Sequence, residues 1–160
     1  MKRWCAFFLC LGILTSATGC AGEPRASEVA AELCRALSLP TGSTYFPRAL
    51  SHEEGYLSPS LRLSLFGEEG DTLLALAEDG CVFLGLSTEE PLEFLLLRLP
   101  THAVARRAAS VLSSRLSLLR RIAPTSPNLF GAEVWVLENW AIYTVLPDNE
   151  RAQAILARLL

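Results

Sequence analysis

The run Pro91-Leu-Glu-Phe-Leu-Leu-Leu-Arg-Leu-Pro100 decides the fold. Between its prolines, Leu92 to Leu99 holds a single acid, Glu93, and a single base, Arg98. A segment so apolar reads as a strand covered on both faces, hence a central one. Thr88-Glu-Glu-Pro91 in front of it is a turn. Before that turn, Asp79-Gly80 introduces a second apolar run, Cys81 to Ser87, so the two runs form a hairpin. Side chains alternate along a strand, so Glu93 shares a face with Leu95, Leu97 and Leu99.

The segment after this hairpin explains that acid. Thr101 to Ile122 reads as a long amphipathic helix, with Val104, Ala108, Val111, Leu112, Leu119 and Ile122 on one face and Pro124 and Pro127 ending it. Arg115 falls inside the apolar stripe. A buried guanidinium requires a partner, because an unpaired buried charge is costly. Glu93 on the adjacent strand is the predicted one. The alternatives are a residue that reaches water at the helix edge, or a guanidinium that receives an anionic ligand.

Outward from this centre, Ser27 to Leu39 reads as a helix with Ser27 as N-cap and Val29, Leu33 and Leu37 on one face. Thr41 to Ser58 reads as loop. Pro59 to Phe66 reads as a short helix, although Leu61, Leu63 and Leu65 alternate as in a strand. Gly67 to Asp71 is an acidic turn, and Thr72 to Glu78 a further helical turn. Glu133 to Glu138 and Trp140 to Leu146 make a second hairpin about Asn139. Asp148 caps a closing helix, Asn149 to Leu160. The expected fold is α+β: one or two N-terminal helices, then β-β-α-β-β-α, with a four-stranded antiparallel sheet packed on the long helix.

The chain has 160 residues, 51% of them apolar, enough for one domain with a real core. Fourteen basic against seventeen acidic residues give a net charge of -3, which offers nucleic acid no basic surface. Lys2 and Arg3, the apolar run Trp4 to Leu14 and the small residues Thr15 to Gly19 have the tripartite layout of a secretory signal. The apolar run is too short to span a bilayer, which opposes the rival reading as an uncleaved anchor. Ala17-Thr18-Gly19 before Cys20 resembles the lipobox of bacterial lipoproteins, with Ala17 where leucine is usual. That resemblance implies a diacylglyceryl group on Cys20; ordinary signal cleavage would cut the same bond without adding lipid. Residues 1–19 are thus the signal, 20–26 a tether and 27–160 the domain. Without the signal, 141 residues remain, with a charge of -5 and no lysine. Fully extended, the tether reaches about 20–25 Å, so the domain is expected close to the outer face of the cell membrane.

Cys5 and Cys10 leave with the signal, and Cys34 and Cys81 are the pair left for oxidation outside the cytoplasm. A disulfide between them is the expectation; two buried free thiols are the alternative. Cys34, Cys81, His52 and His102 lack metal-ligand spacing, and no residue pattern asks for a metal or cofactor.

Several features occur together: the lipoprotein signal, Ser27-Glu-Val-Ala-Ala31, Pro91 to Phe94, the arginine-punctuated helix, Asn128-Leu-Phe-Gly131, the late hairpin and the closing helix. Their order resembles a family of short lipoproteins from Clostridia and related Firmicutes, known only as a domain of unknown function. The resemblance covers nearly the whole mature chain. It implies an envelope address and this fold, and it transfers no catalytic residue.

Trp135, Trp140 and Tyr143 cluster on the late hairpin. They read either as cross-strand packing or as an exposed aromatic edge for a partner. No serine stands in a Gly-x-Ser-x-Gly setting, and there is neither a phosphate-binding glycine loop nor a His-Glu-x-x-His motif. The leading functional expectation is a non-catalytic, membrane-proximal binding module, anchored through Cys20 and meeting an envelope protein. The alternatives are an envelope hydrolase built from His52, Glu93 and Arg115, and capture of a small anionic solute by Arg115.

Overall fold

A computed structural model of the chain describes residues 23–87 and 90–160. The signal, Cys20, the start of the tether and Thr88-Glu89 of the first hairpin turn lie outside the described residues. The central strand is Glu93–Arg98, here β3 because Gly42–Tyr45 (β1) and Asp79–Gly85 (β2) precede it. Glu133–Leu137 (β4) and Trp140–Val145 (β5) complete an antiparallel sheet ordered β1-β2-β3-β5-β4. Both faces of β3 are covered, as its unbroken apolar run requires.

Four helices cover the two faces. Ala26–Ala36 (α1) and Asn149–Leu159 (α4) pack with Cys81, Phe83, Phe94, Leu96, Trp140 and Ile142. Pro59–Leu76 (α2) and His102–Ile122 (α3) pack with Val82, Leu95, Leu97, Ala141, Tyr143 and Val145 on the other face. The fold is α+β, a sheet between two helix pairs. Thr101 and Asp148 cap α3 and α4 through their side-chain oxygens.

The sheet has five strands where the sequence suggests four. Gly-Ser-Thr-Tyr lacks an apolar alternation, and β1 exists because it pairs with β2 at the sheet edge. Gly42 allows that pairing: a Cβ there would meet the Phe83 ring at 2.4 Å. The N-terminal helix starts a residue earlier than expected, and Ser27 is not its cap. The Asp79 carboxylate, at the start of β2, accepts a hydrogen bond from the Ala26 N–H at 2.8 Å instead. An acid near a helix N-terminus also suits the helix dipole.

The segment 59–76 is two helical stretches meeting at Gly67: the short helix expected over Pro59 to Phe66 is there, and Glu68 to Leu76, expected as an acidic turn and a further helical turn, form the second. Gly67 breaks the segment at φ 69 and ψ -174, and an Arg62–Asp71 ion pair at 2.9 Å bridges its two halves. That backbone region is essentially restricted to glycine. We therefore predict that Gly67→Ala lowers unfolding free energy by about 1–3 kcal/mol despite open space around the position. Urea unfolding of the variant measures this; an unchanged midpoint would refute the strain.

Candidate functional site

Glu93 stands at the head of β3 and Arg115 in the second half of α3, facing each other across the layer interface. Arg115 donates from Nε to Glu93 Oε1 at 3.0 Å and from Nη2 to Oε2 at 2.8 Å. This two-pronged geometry is the strong form of a carboxylate–guanidinium contact. Tyr143 adds a third hydrogen bond, its hydroxyl donating to Oε1 at 2.5 Å. Strand pairing explains how it reaches: β5 lies beside β3, with Tyr143 opposite Leu95 and Val145 opposite Glu93. Burial works against the Arg115 charge, but its hydrogen bonds and attraction to Glu93 prevail and raise its pKa above the usual value. Burial, and then the Glu93 charge, push the Tyr143 phenol far up, so it remains a protonated donor.

The ion pair forms the floor of a cavity of about 790 Å³. Leu65 of α2, Leu84 of β2, Leu92 before β3, and Leu119 and Ile122 of α3 supply aliphatic walls. Ser87, Glu90 and the Ala123–Pro127 segment complete the rim. Two asparagines fasten the chain just after that segment. Asn128 donates from Nδ2 to the Pro91 carbonyl at 3.0 Å. Nδ2 of Asn149, the first residue of α4, shares its two hydrogens among the carbonyls of Asn128 (2.9 Å), Phe130 (2.7 Å) and Leu146 (2.8 Å). Its Oδ1 accepts from the Leu146 N–H at 3.0 Å. Ser126, on the cavity wall, has a buried hydroxyl without a hydrogen-bond partner among the described residues. Such an unmet hydroxyl is unfavourable unless something else satisfies it.

The cavity lies at the pole of the β2–β3 turn. The chain enters at the other pole, where Glu23 pairs with Arg98 and Ala26 with Asp79. Three large apolar side chains are exposed at the cavity's pole: Leu86 (72%), Ile122 (65%) and Phe130 (84%). Ile122 was expected on the buried stripe, but α3's last turn runs out to the rim.

Two other expected features turn out differently. Trp140 and Tyr143 are buried in the core, so the hairpin does not present an exposed aromatic edge. Strand alternation sends them to opposite faces, Trp140 and the partly buried Trp135 towards α1 and α4 and Tyr143 towards α3. His52 is exposed on the loop between β1 and α2 and is not among the residues lining the Glu93–Arg115 cavity. His102, at the start of α3, donates from Nδ1 to the Glu138 carbonyl. No group of three or more metal-ligating side chains is found among the described residues.

The expected Cys34–Cys81 bond is not formed; both are free thiols. They share one core cluster where α1 packs on β2, and both act there as small apolar side chains. Burial raises the pKa of the Cys34 thiol; burial, then the charges of Asp79 and Cys34, push Cys81 up much further. The thiolate is the reactive form. Maleimide at mildly alkaline pH is therefore predicted to label Cys34 first and Cys81 only once denaturant opens the core. Peptide mass mapping reads this, and equal labelling rates in the native protein would contradict it.

The ion pair makes a second prediction. Arg115→Met leaves Glu93 buried without its cation and is expected to cost about 3–5 kcal/mol of stability. Combining it with Glu93→Gln should cost clearly less than the sum of the two single changes. A double-mutant cycle in urea measures the coupling, and strict additivity would mean the pair is not coupled.

Comparison of the chain with family models, with curated proteins and with solved structures returns no match. Among the described residues, no helix is long and apolar enough to cross a membrane.

Proposed function

We propose that this chain is an exported, lipid-anchored module of the cell envelope that binds a ligand in the cavity above the Glu93–Arg115 pair, without catalysing a reaction. The observation that carries the binding reading is the cavity itself: aliphatic walls around a few convergent polar groups, the usual build of a ligand site. Chemistry on the ligand is disfavoured by how those groups are committed. The Glu93 oxygens already accept three hydrogen bonds, from Arg115 and Tyr143, so Glu93 is not a free base. Ser126 has no base hydrogen-bonded to its hydroxyl, which an activated nucleophile needs.

The envelope address rests on the sequence alone, on Lys2 to Gly19 and the lipobox-like Ala17-Thr18-Gly19-Cys20. Lipid on Cys20 would hold the pole at which the chain enters near the bilayer. Two residues separate Cys20 from Glu23, and the three steps between them reach about 10 Å. Strands β2 and β3, each about 20 Å long, would set the cavity on the side away from the lipid. The partner would then come from the aqueous side. The intact mass of the protein extracted from its native membranes tests the anchor. The expected mass is that of residues 20–160 plus a diacylglyceryl group, and Cys20→Ala should release the protein into the soluble fraction. An unmodified, soluble chain would remove the anchor from this reading.

A further inference from the structure

We propose that the cavity selects an uncharged ligand, an aliphatic group carrying an amide, the chemistry of an apolar peptide segment. This rests on the binding reading above and deepens it. Three observations narrow the ligand.

The first is charge. Arg115 would ordinarily mark a site for a carboxylate or phosphate. Here Nε and Nη2 are both spent on Glu93, and the floor carries no net charge. With Glu90 on the rim, the described lining residues carry one negative charge in excess. An arriving anion would meet two carboxylates for one guanidinium. Nη1 makes no hydrogen bond among the described residues, and the Arg115 side chain keeps 14% of its surface exposed. A neutral carbonyl can accept from such a donor without adding charge.

The second is the walls. Leu65, Leu84, Leu92, Leu119 and Ile122 offer aliphatic surface, and among the described residues no aromatic side chain lines the cavity. A nucleobase would find no stacking platform there. A branched aliphatic side chain finds matching surface on several sides.

The third is the hydroxyl of Ser126, buried beside the cavity and unpartnered. A hydroxyl both donates and accepts, so either half of an amide can satisfy it. Asn128 and Asn149 fasten the chain just after Ser126.

The test compares two probes with the same body and different charge, N-acetyl-leucinamide and N-acetyl-leucine, titrated into the mature protein and followed by amide NMR shifts. The neutral amide is expected to shift Gly85, Leu119 and Ser126, with a dissociation constant on the order of 1–10 mM. The acid should bind at least about threefold weaker, a difference set by the excess negative charge. Glu90→Gln, a surface change that leaves the fold intact, should narrow that gap. Ser126→Ala should weaken the amide severalfold. Equal or tighter binding of the acid, or a gap unmoved by Glu90→Gln, overturns the uncharged ligand and leaves the cavity a binding site. If neither probe shifts these residues, the binding reading of the cavity falls as well.

Discussion

An acid at the head of the most enclosed strand must be neutralised where it stands. Glu93 is only 6% exposed, and an unpaired buried carboxylate would cost more than most single contacts return. The chain meets this constraint with side chains from two elements, Arg115 on α3 and Tyr143 on β5. Satisfying Glu93 therefore fixes the rotation of α3 over the sheet and ties β3 to β5. A one-residue slip of β3 would turn Glu93 onto the face covered by α1 and α4 and take it from both partners. Buried ion pairs often add little net stability compared with apolar replacements, but a pair placed here would penalise wrong registers, a role suggested for buried polar groups elsewhere.

The rest of the architecture follows from β3 being apolar on both faces. Phe94 and Leu96 need one cover, Leu95 and Leu97 another, and the chain supplies a helix pair for each. Phe83 stacks on Phe94 at 5.1 Å between ring centres, which locks β2 to β3 beneath α1. The cavity lies where this covering stops. Past the last turn of α3 the chain bends through Pro124 and Pro127, and this loop lines the cavity together with the sheet's end at Gly85 and Leu92. The opening is thus a consequence of helix length against strand length, with asparagine side chains holding the loop in place of a core.

How much of this could be read from the residues depends on the range of the signal. The central strand, the long helix and the Glu93–Arg115 geometry follow from local periods, two along a strand and 3.6 along a helix. β1 could not be read that way, because Gly-Ser-Thr-Tyr becomes a strand only through β2. The buried stripe of α3 is Ala105, Ala108, Leu112, Leu116 and Leu119: Ala108, Leu112 and Leu119 are on the expected face, Ala105 and Leu116 join them, and Val104 and Val111 are only partly buried. The aromatic residues of the late hairpin looked like one cluster in sequence, yet the odd spacing of Trp140 and Tyr143 already placed them on opposite faces. Ser126, Asn128 and Asn149 carried the weakest signal. Small polar residues beside prolines read as loop, and only the close approach of Pro91, Leu146 and Phe130 in space gives them their role. The Asn-Pro-flanked composition of the loop after α3 was the one hint that its backbone needed side-chain partners.

The same pair that orders the fold sets the chemistry of the proposed site. A lone arginine at this position would make the cavity an anion trap, in a chain whose net charge of -3 already repels anions. With Glu93 beside it, the guanidinium offers direction rather than charge: a fixed donor at the bottom of an aliphatic pocket. Fixed donors discriminate by geometry, because a ligand that fails to supply an acceptor leaves them buried and unmet. Removing Glu93 to enhance anion capture would cost the register that keeps Arg115 in place. Fold and ligand preference are linked through one carboxylate, so selection on either acts on both.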